Sequence, residues 1–96
     1  MKIRNFIWLE EFEEKNIVKH HVYPAEIVEA FFNRPAFRRM EPGQRPGEDL
    51  YAVYGQTDAG RYLIVFFIRK ANDDALIISA RDMTQKERRL YASRIR

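Results

Sequence analysis

Tyr62-Leu63-Ile64-Val65-Phe66-Phe67-Ile68 is the stretch whose reading decides the fold. A strand tolerates apolar residues at every position only when both of its faces are covered, so this run predicts the central strand of a sheet flanked on two sides. The strand itself reads from Arg61 to Arg69, and turn sequences lie beyond it: Thr57-Asp58-Ala59-Gly60 before, Lys70 to Asp74 after. Working outward, Asp49 to Gln56 and Ala75 to Ala80 read as the neighbouring strands. Arg4 to Trp8 reads as a short first strand with Phe6 and Trp8 on one face at period two.

The remaining segments carry helical signals. Glu10 to Lys19 has acids early and Lys15 and Lys19 late, the order a helix dipole favours, although its apolar side is only Phe12, Ile17 and Val18. Tyr23-Pro24 ends that helix and starts a second, which buries Ile27, Val28 and Phe31 and stops before Pro35. Pro42 to Gly47 is a loop of breakers, expected to be mobile and to divide a helical half from a strand-rich half. Thr84-Gln85-Lys86-Glu87 fits a capping box, predicting a last helix from Gln85 to about Ile95 that buries Leu90, Tyr91 and Ile95. With the first two helices on one face of the sheet, the other face needs this last helix or a partner.

Ninety-six residues, 46% hydrophobic and 14% aromatic, make one folded domain spanning 1–96 despite 32% charge. No apolar run nears the roughly 20 residues of a membrane span, and no secretory h-region follows Met1, so the expected location is the cytoplasm without membrane contact. The lack of cysteine removes thiolate chemistry, and two adjacent histidines make a poor metal site, so neither metal nor cofactor is expected. Charge is uneven. Residues 81–96 carry a net +4 and residues 1–80 a net −1, placing the basic excess where it can attract phosphates or form a solvated helix face.

Gly-rich phosphate loops, HExxH, GxSxG and CxxC are all missing. Histidine, arginine, lysine, glutamate and tyrosine remain. That set suffices for metal-free RNA cleavage, in which a base removes the 2′-OH proton, cations stabilise the crowded phosphate and an acid protonates the leaving 5′-oxygen. Composition permits this chemistry without pointing to it.

Six fragments in register supply the pointer: Phe6-x-Trp8, Asn16-x-x-Lys19-His20-x-Val22, Phe31-Phe32-x-x-Pro35, Gly60-Arg61-x-Leu63-x-Val65, Ile78-Ser79-Ala80-Arg81-x-Met83 and Glu87-Arg88-x-x-Tyr91. Together they resemble the BrnT-type toxins from residue 6 to residue 91. The resemblance implies a ribonuclease toxin of a type II toxin–antitoxin pair with a RelE-like α+β fold, a small antiparallel β-sheet packed with helices, matching the element order β-α-α-β-β-β-β-α. It also implies an RNA substrate and a DNA-binding antitoxin of ribbon-helix-helix, BrnA-like type, through which alone operator DNA is met. Two positions depart from the family pattern. Leu9 stands where Asp is frequent, and His21 stands where Gly is frequent, at a helix end that uses glycine's left-handed conformation.

Within that resemblance His20 is the matched side chain of the type that titrates near neutrality, and so the proton-transfer candidate; otherwise it simply ends a helix. Arg69 and Arg81 are the candidate catalytic cations, and Lys19, Arg61, Arg88 and Tyr91 the candidate RNA contacts. Hairpin geometry sets a test. A turn over Lys70 to Asp74 pairs Arg69 near Ala75 and places Arg81 opposite about Leu63, separating Arg69 from the Arg61/Arg81 end by roughly 20 to 27 Å. Glu87 reads first as the capping partner of Thr84 and second as a general base. The competing function is a non-toxic nucleic-acid-binding or antitoxin-binding module of the same fold.

Overall fold

The computed structural model describes residues 1–94, in the order β1 (Phe6–Trp8), α1 (Glu10–His20), α2 (Pro24–Phe32), β2 (Ala36–Glu41), β3 (Asp49–Gln56), β4 (Tyr62–Arg69), β5 (Ala75–Asp82) and α3 (Gln85–Arg94). The expected Ile95 end of the last helix lies outside the described residues. One five-stranded sheet runs β1-β5-β4-β3-β2, so the all-apolar run does occupy the middle. Its two sets of side chains part by period two. Leu63, Val65 and Phe67 join Val53, Ala75, Ile77 and Ala80 beneath Val22, Ile27, Ala30 and Phe31. On the opposite face Ile64 joins Ala36, Ala52, Tyr54, Met83 and Tyr91, with Tyr62, Phe66 and Leu90 packed at the margin.

The first face is the thicker. Phe31 meets Phe6 and Phe67 at ring separations of 5.0 Å each, and Phe67 meets Tyr51 at 5.9 Å. α2 lies close on β3: a Cβ at Gly55 would stand 2.1 Å from the Ala30 carbonyl oxygen, so only glycine admits this approach. Ala30 thus takes the buried place expected for Val28, which is half-exposed. α1 differs from expectation more sharply, since Val18 is 70% exposed and Asn16 is the buried residue of that helix.

The expected antiparallel sheet is antiparallel over β2 to β5, while β1 adds to β5 in parallel through Phe6↔Ala75, Ile7↔Leu76 and Trp8↔Ile77, making the whole sheet mixed. The helical α1–α2 segment and the strands after it provide the long connection that parallel pairing requires. Pro42 to Gly47 does not divide helices from strands, because β2 precedes it; it links β2 to β3, and the Gly43 N–H donates to Asp49 Oδ1 at 2.7 Å.

One irregularity governs the rest. Arg69 pairs with Ala75, as the turn dictates, but the register shifts between Phe66 and Phe67, where Ser79 and Ile77 are the successive partners and Ile78 has none. Beyond this bulge Arg81 pairs with Ile64 rather than Leu63. A one-residue slip turns a strand's side chains to the other face. Arg81 therefore emerges on the α3 face, and Asp82 on the face of α1 and α2.

Candidate functional site

At the C-terminus of α1 the chain turns through His21 in the left-handed region, φ 55°, where the His21 N–H donates to the Ile17 carbonyl at 3.0 Å and the Val22 N–H to the Asn16 carbonyl at 3.1 Å. The position read in sequence as one suited to glycine is thus left-handed here. Asn16, 2% exposed, accepts the Ala80 N–H at 3.2 Å with its Oδ1. β1 pairs with β5 only along Ala75 to Ile77, so the outer edge at Ala80 has no strand beside it, and the asparagine satisfies that edge amide.

A helix leaves its last carbonyls without intrahelical donors. Arg61 supplies donors to two carbonyls at this end: Nη2 donates to the His20 carbonyl at 2.9 Å and Nη1 to the His21 carbonyl at 2.7 Å. The same guanidinium reaches Asp82 through Nε at 2.6 Å and Nη2 at 3.3 Å, and both Glu26 carboxylate oxygens through Nη1 at 3.3 Å. Asp82 above all, then Glu26, hold the guanidinium proton more firmly than usual against the opposing effect of burial. Glu26 also accepts the Tyr23 N–H at 3.1 Å, at the start of α2.

Across the sheet, Arg81 and Glu87 form a bidentate pair with Nη1–Oε1 2.7 Å and Nη2–Oε2 3.0 Å. Glu87 is at the same time the capping partner expected from sequence, accepting the Thr84 N–H at 2.8 Å while its own N–H donates to Thr84 Oγ1 at 3.2 Å. The Arg81 bond, more than the Thr84 amide, holds the Glu87 carboxyl below the usual carboxylate range despite burial. Arg81 also lies 5.7 Å from the Phe66 ring centroid.

Farther along α3, the Arg88 guanidinium stands 4.1 Å over the Tyr62 ring, and Tyr91 meets Tyr62 edge-on at 6.1 Å. Tyr91 is 1% exposed; its Oη donates to the Arg34 carbonyl at 2.9 Å, and burial pushes its phenol pKa up. The Arg94 guanidinium donates to the Phe37 carbonyl at 3.2 Å, so α3 reaches from the end of β5 across to β2. Between α3 and the ends of β3 and β4 lies a groove of about 670 Å³, walled by Arg34, Gln56, Tyr62, Arg88, Arg89 and Tyr91. Sequence reading named Arg88 and Tyr91 and missed the other four. Arg89 was signalled by the Arg88-Arg89 doublet, whereas Arg34 and Gln56 arrive only through tertiary packing.

The expected catalytic trio is not gathered. Arg69 pairs with Asp73 at 2.9 Å and borders a separate cavity of about 210 Å³ with Asp49, Tyr51 and Lys70. By strand alternation it faces the α2 side, whereas Arg81 faces α3. Five residues of β4, about 17 Å of strand, separate Arg69 from Ile64, the partner of Arg81. His20, Arg61, Arg81, Arg88 and Tyr91 do share one end of the sheet, with His20 and Arg61 on the α1 side and the others on the α3 side. Lys19 is exposed on the last turn of α1. Among the described residues no cluster of three or more His, Asp or Glu is placed to hold a metal ion, and no helix is long and apolar enough to cross a membrane.

Fold and groove define a small α+β protein that can hold a phosphate-bearing chain against arginine and tyrosine at one sheet end. Residues 8–87 match the family model described as ribonuclease toxin, BrnT, of type II toxin–antitoxin system. The chain belongs to that family. Comparison with curated proteins finds no match. The matched span includes His20, Arg61, Arg69, Arg81 and Glu87 and ends just before Arg88.

Proposed function

We propose that this chain is a metal-independent endoribonuclease toxin that cleaves cellular RNA, and so inhibits translation and growth, until a ribbon-helix-helix, BrnA-like antitoxin masks it. Family membership supports the reaction class and the existence of an antitoxin. The observation that carries the reading for this chain is the Arg88–Tyr62 stack in a groove lined by arginines, next to the Arg81–Glu87 pair. An unpaired base stacks against Arg88 and Tyr62, and Arg34 and Arg89 follow the backbone. Arg81 stabilises the charge of the pentavalent phosphate when the substrate displaces Glu87. Proton transfer is assigned to His20, at the same sheet end on the α1 side, while Glu87 remains the cap of α3 through the Thr84 amide.

A labelled single-stranded RNA incubated with the purified protein in EDTA tests the reading. Cleavage persists, stops when the 2′-OH at the cut site is replaced by hydrogen, and falls by about 10²-fold or more in His20→Gln. RNA left intact by a folded protein overturns it. One observation favours the second reading, a binding module without nuclease activity: both Arg61 and Arg81 are already paired with carboxylates. Harmless induced expression with retained RNA or antitoxin binding would select that alternative.

A further inference from the structure

Arg61 was expected to touch RNA, yet its donors are taken up inside the protein. Two carboxylates and two carbonyls engage Nε, Nη1 and Nη2, and its side chain is 27% exposed. The two carboxylates outnumber the single positive charge, leaving no excess attraction for a phosphate. Every partner sits at the end of an element: His20 and His21 close α1, Glu26 opens α2, and Asp82 ends β5 immediately after Arg81.

We propose that Arg61 is the positioning residue of this site, locking the His20 turn to the strand end that carries Arg81. The inference rests on the proposed proton-transfer role of His20. Helix ends fray unless their orphan carbonyls are satisfied, and the turn here leaves α1 through a non-glycine residue at φ 55°, which itself disfavours the conformation. The guanidinium fork holds both carbonyls from one rigid plane, which a lysine ammonium cannot do. Through Asp82 the same plane fixes how far the last turn of α1 stands from β5. Displacement of a reacting group by about 1 Å costs about 10²-fold in rate, so loosening this brace appears in turnover rather than in affinity.

Arg61→Lys separates positioning from phosphate contact, with Arg88→Ala as the reference for a groove cation. In Arg61→Lys, kcat falls by about 10²-fold, KM and the salt dependence of RNA affinity stay as in the parent, and the His20 imidazole resonances shift and broaden. Arg88→Ala instead weakens affinity and flattens its salt dependence. Asp82→Asn, which keeps both carbonyl contacts, gives a smaller loss of kcat in the same direction and guards against a folding defect in the lysine variant. Loss of affinity with a reduced salt slope in Arg61→Lys overturns the proposal, as does unchanged kcat or unmoved His20 resonances. A parent protein that binds RNA without cutting it would overturn the nuclease reading, and the affinity and His20 resonance measurements would still decide whether Arg61 is a brace.

Discussion

The two faces of the sheet use the same residue types for different ends. Beneath α1 and α2, aromatic rings interlock, and the arginine at the rim, Arg61, is bound to four residues from three neighbouring elements. Beneath α3 the core is smaller, Phe66 remains half-exposed, and Arg81 binds one carboxylate, that of Glu87, and the neighbouring Asp82 carbonyl. The guanidinium of Arg61 ties three elements together, whereas that of Arg81 has only one carboxylate to release, which is why the proposed function assigns Arg81, and not Arg61, to substrate. The first face supplies rigidity, and the second supplies access.

Adjacent phenylalanines give the largest contrast. Phe67, fully buried on the first face, loses about 3–5 kcal/mol on change to alanine, whereas Phe66→Ala on the second face loses less than half as much, as read by urea unfolding. Equal losses would erase the distinction between the faces. Arginines come next. Arg61→Ala strands two carbonyls and two carboxylates and costs about 2 kcal/mol, while Arg81→Ala costs less than about 1 kcal/mol.

Acid sharpens the second face alone. The folded-state pKa of Glu87 lies below its unfolded value, so its contribution is present in full above the ordinary carboxylate range and is lost as pH falls through the folded value. The stability gap between the parent and Glu87→Gln, about 1 kcal/mol near neutrality, should close on acidification below about pH 4.3. A gap that widens in acid contradicts the pairing. The smallest change expected is a gain: His21→Gly relieves the left-handed backbone and raises thermal stability by up to about 1 kcal/mol.

Local chemistry made much of this legible. The apolar run marked β4, the Asp49 and Gln56 bounds of β3 stand as read, and Thr84 and Glu87 exchange the reciprocal bonds of their capping box. His21, which departs from the glycine that the resemblance implies, nonetheless takes the left-handed conformation of such a cap. Hidden from sequence was the bulge at Ile78, since nothing in Leu76-Ile77-Ile78-Ser79 marks which residue loses its partner. That one residue turned Arg81 away from the face of Arg61 and Arg69 and toward Glu87. Asn16 was equally unreadable, because its bond to Ala80 spans 64 positions and depends on where β1 stops covering β5.

Chemical-shift mapping with a 2′-O-methyl oligoribonucleotide, which binds without being cut by attack of its 2′-oxygen, tests most directly where RNA meets this protein. Perturbations concentrated at Tyr62, Arg81, Arg88 and Arg89, reaching His20 and sparing Arg69, Lys70 and Asp73, are the predicted result. Perturbations centred on Arg69, with the α3 groove silent, would contradict it.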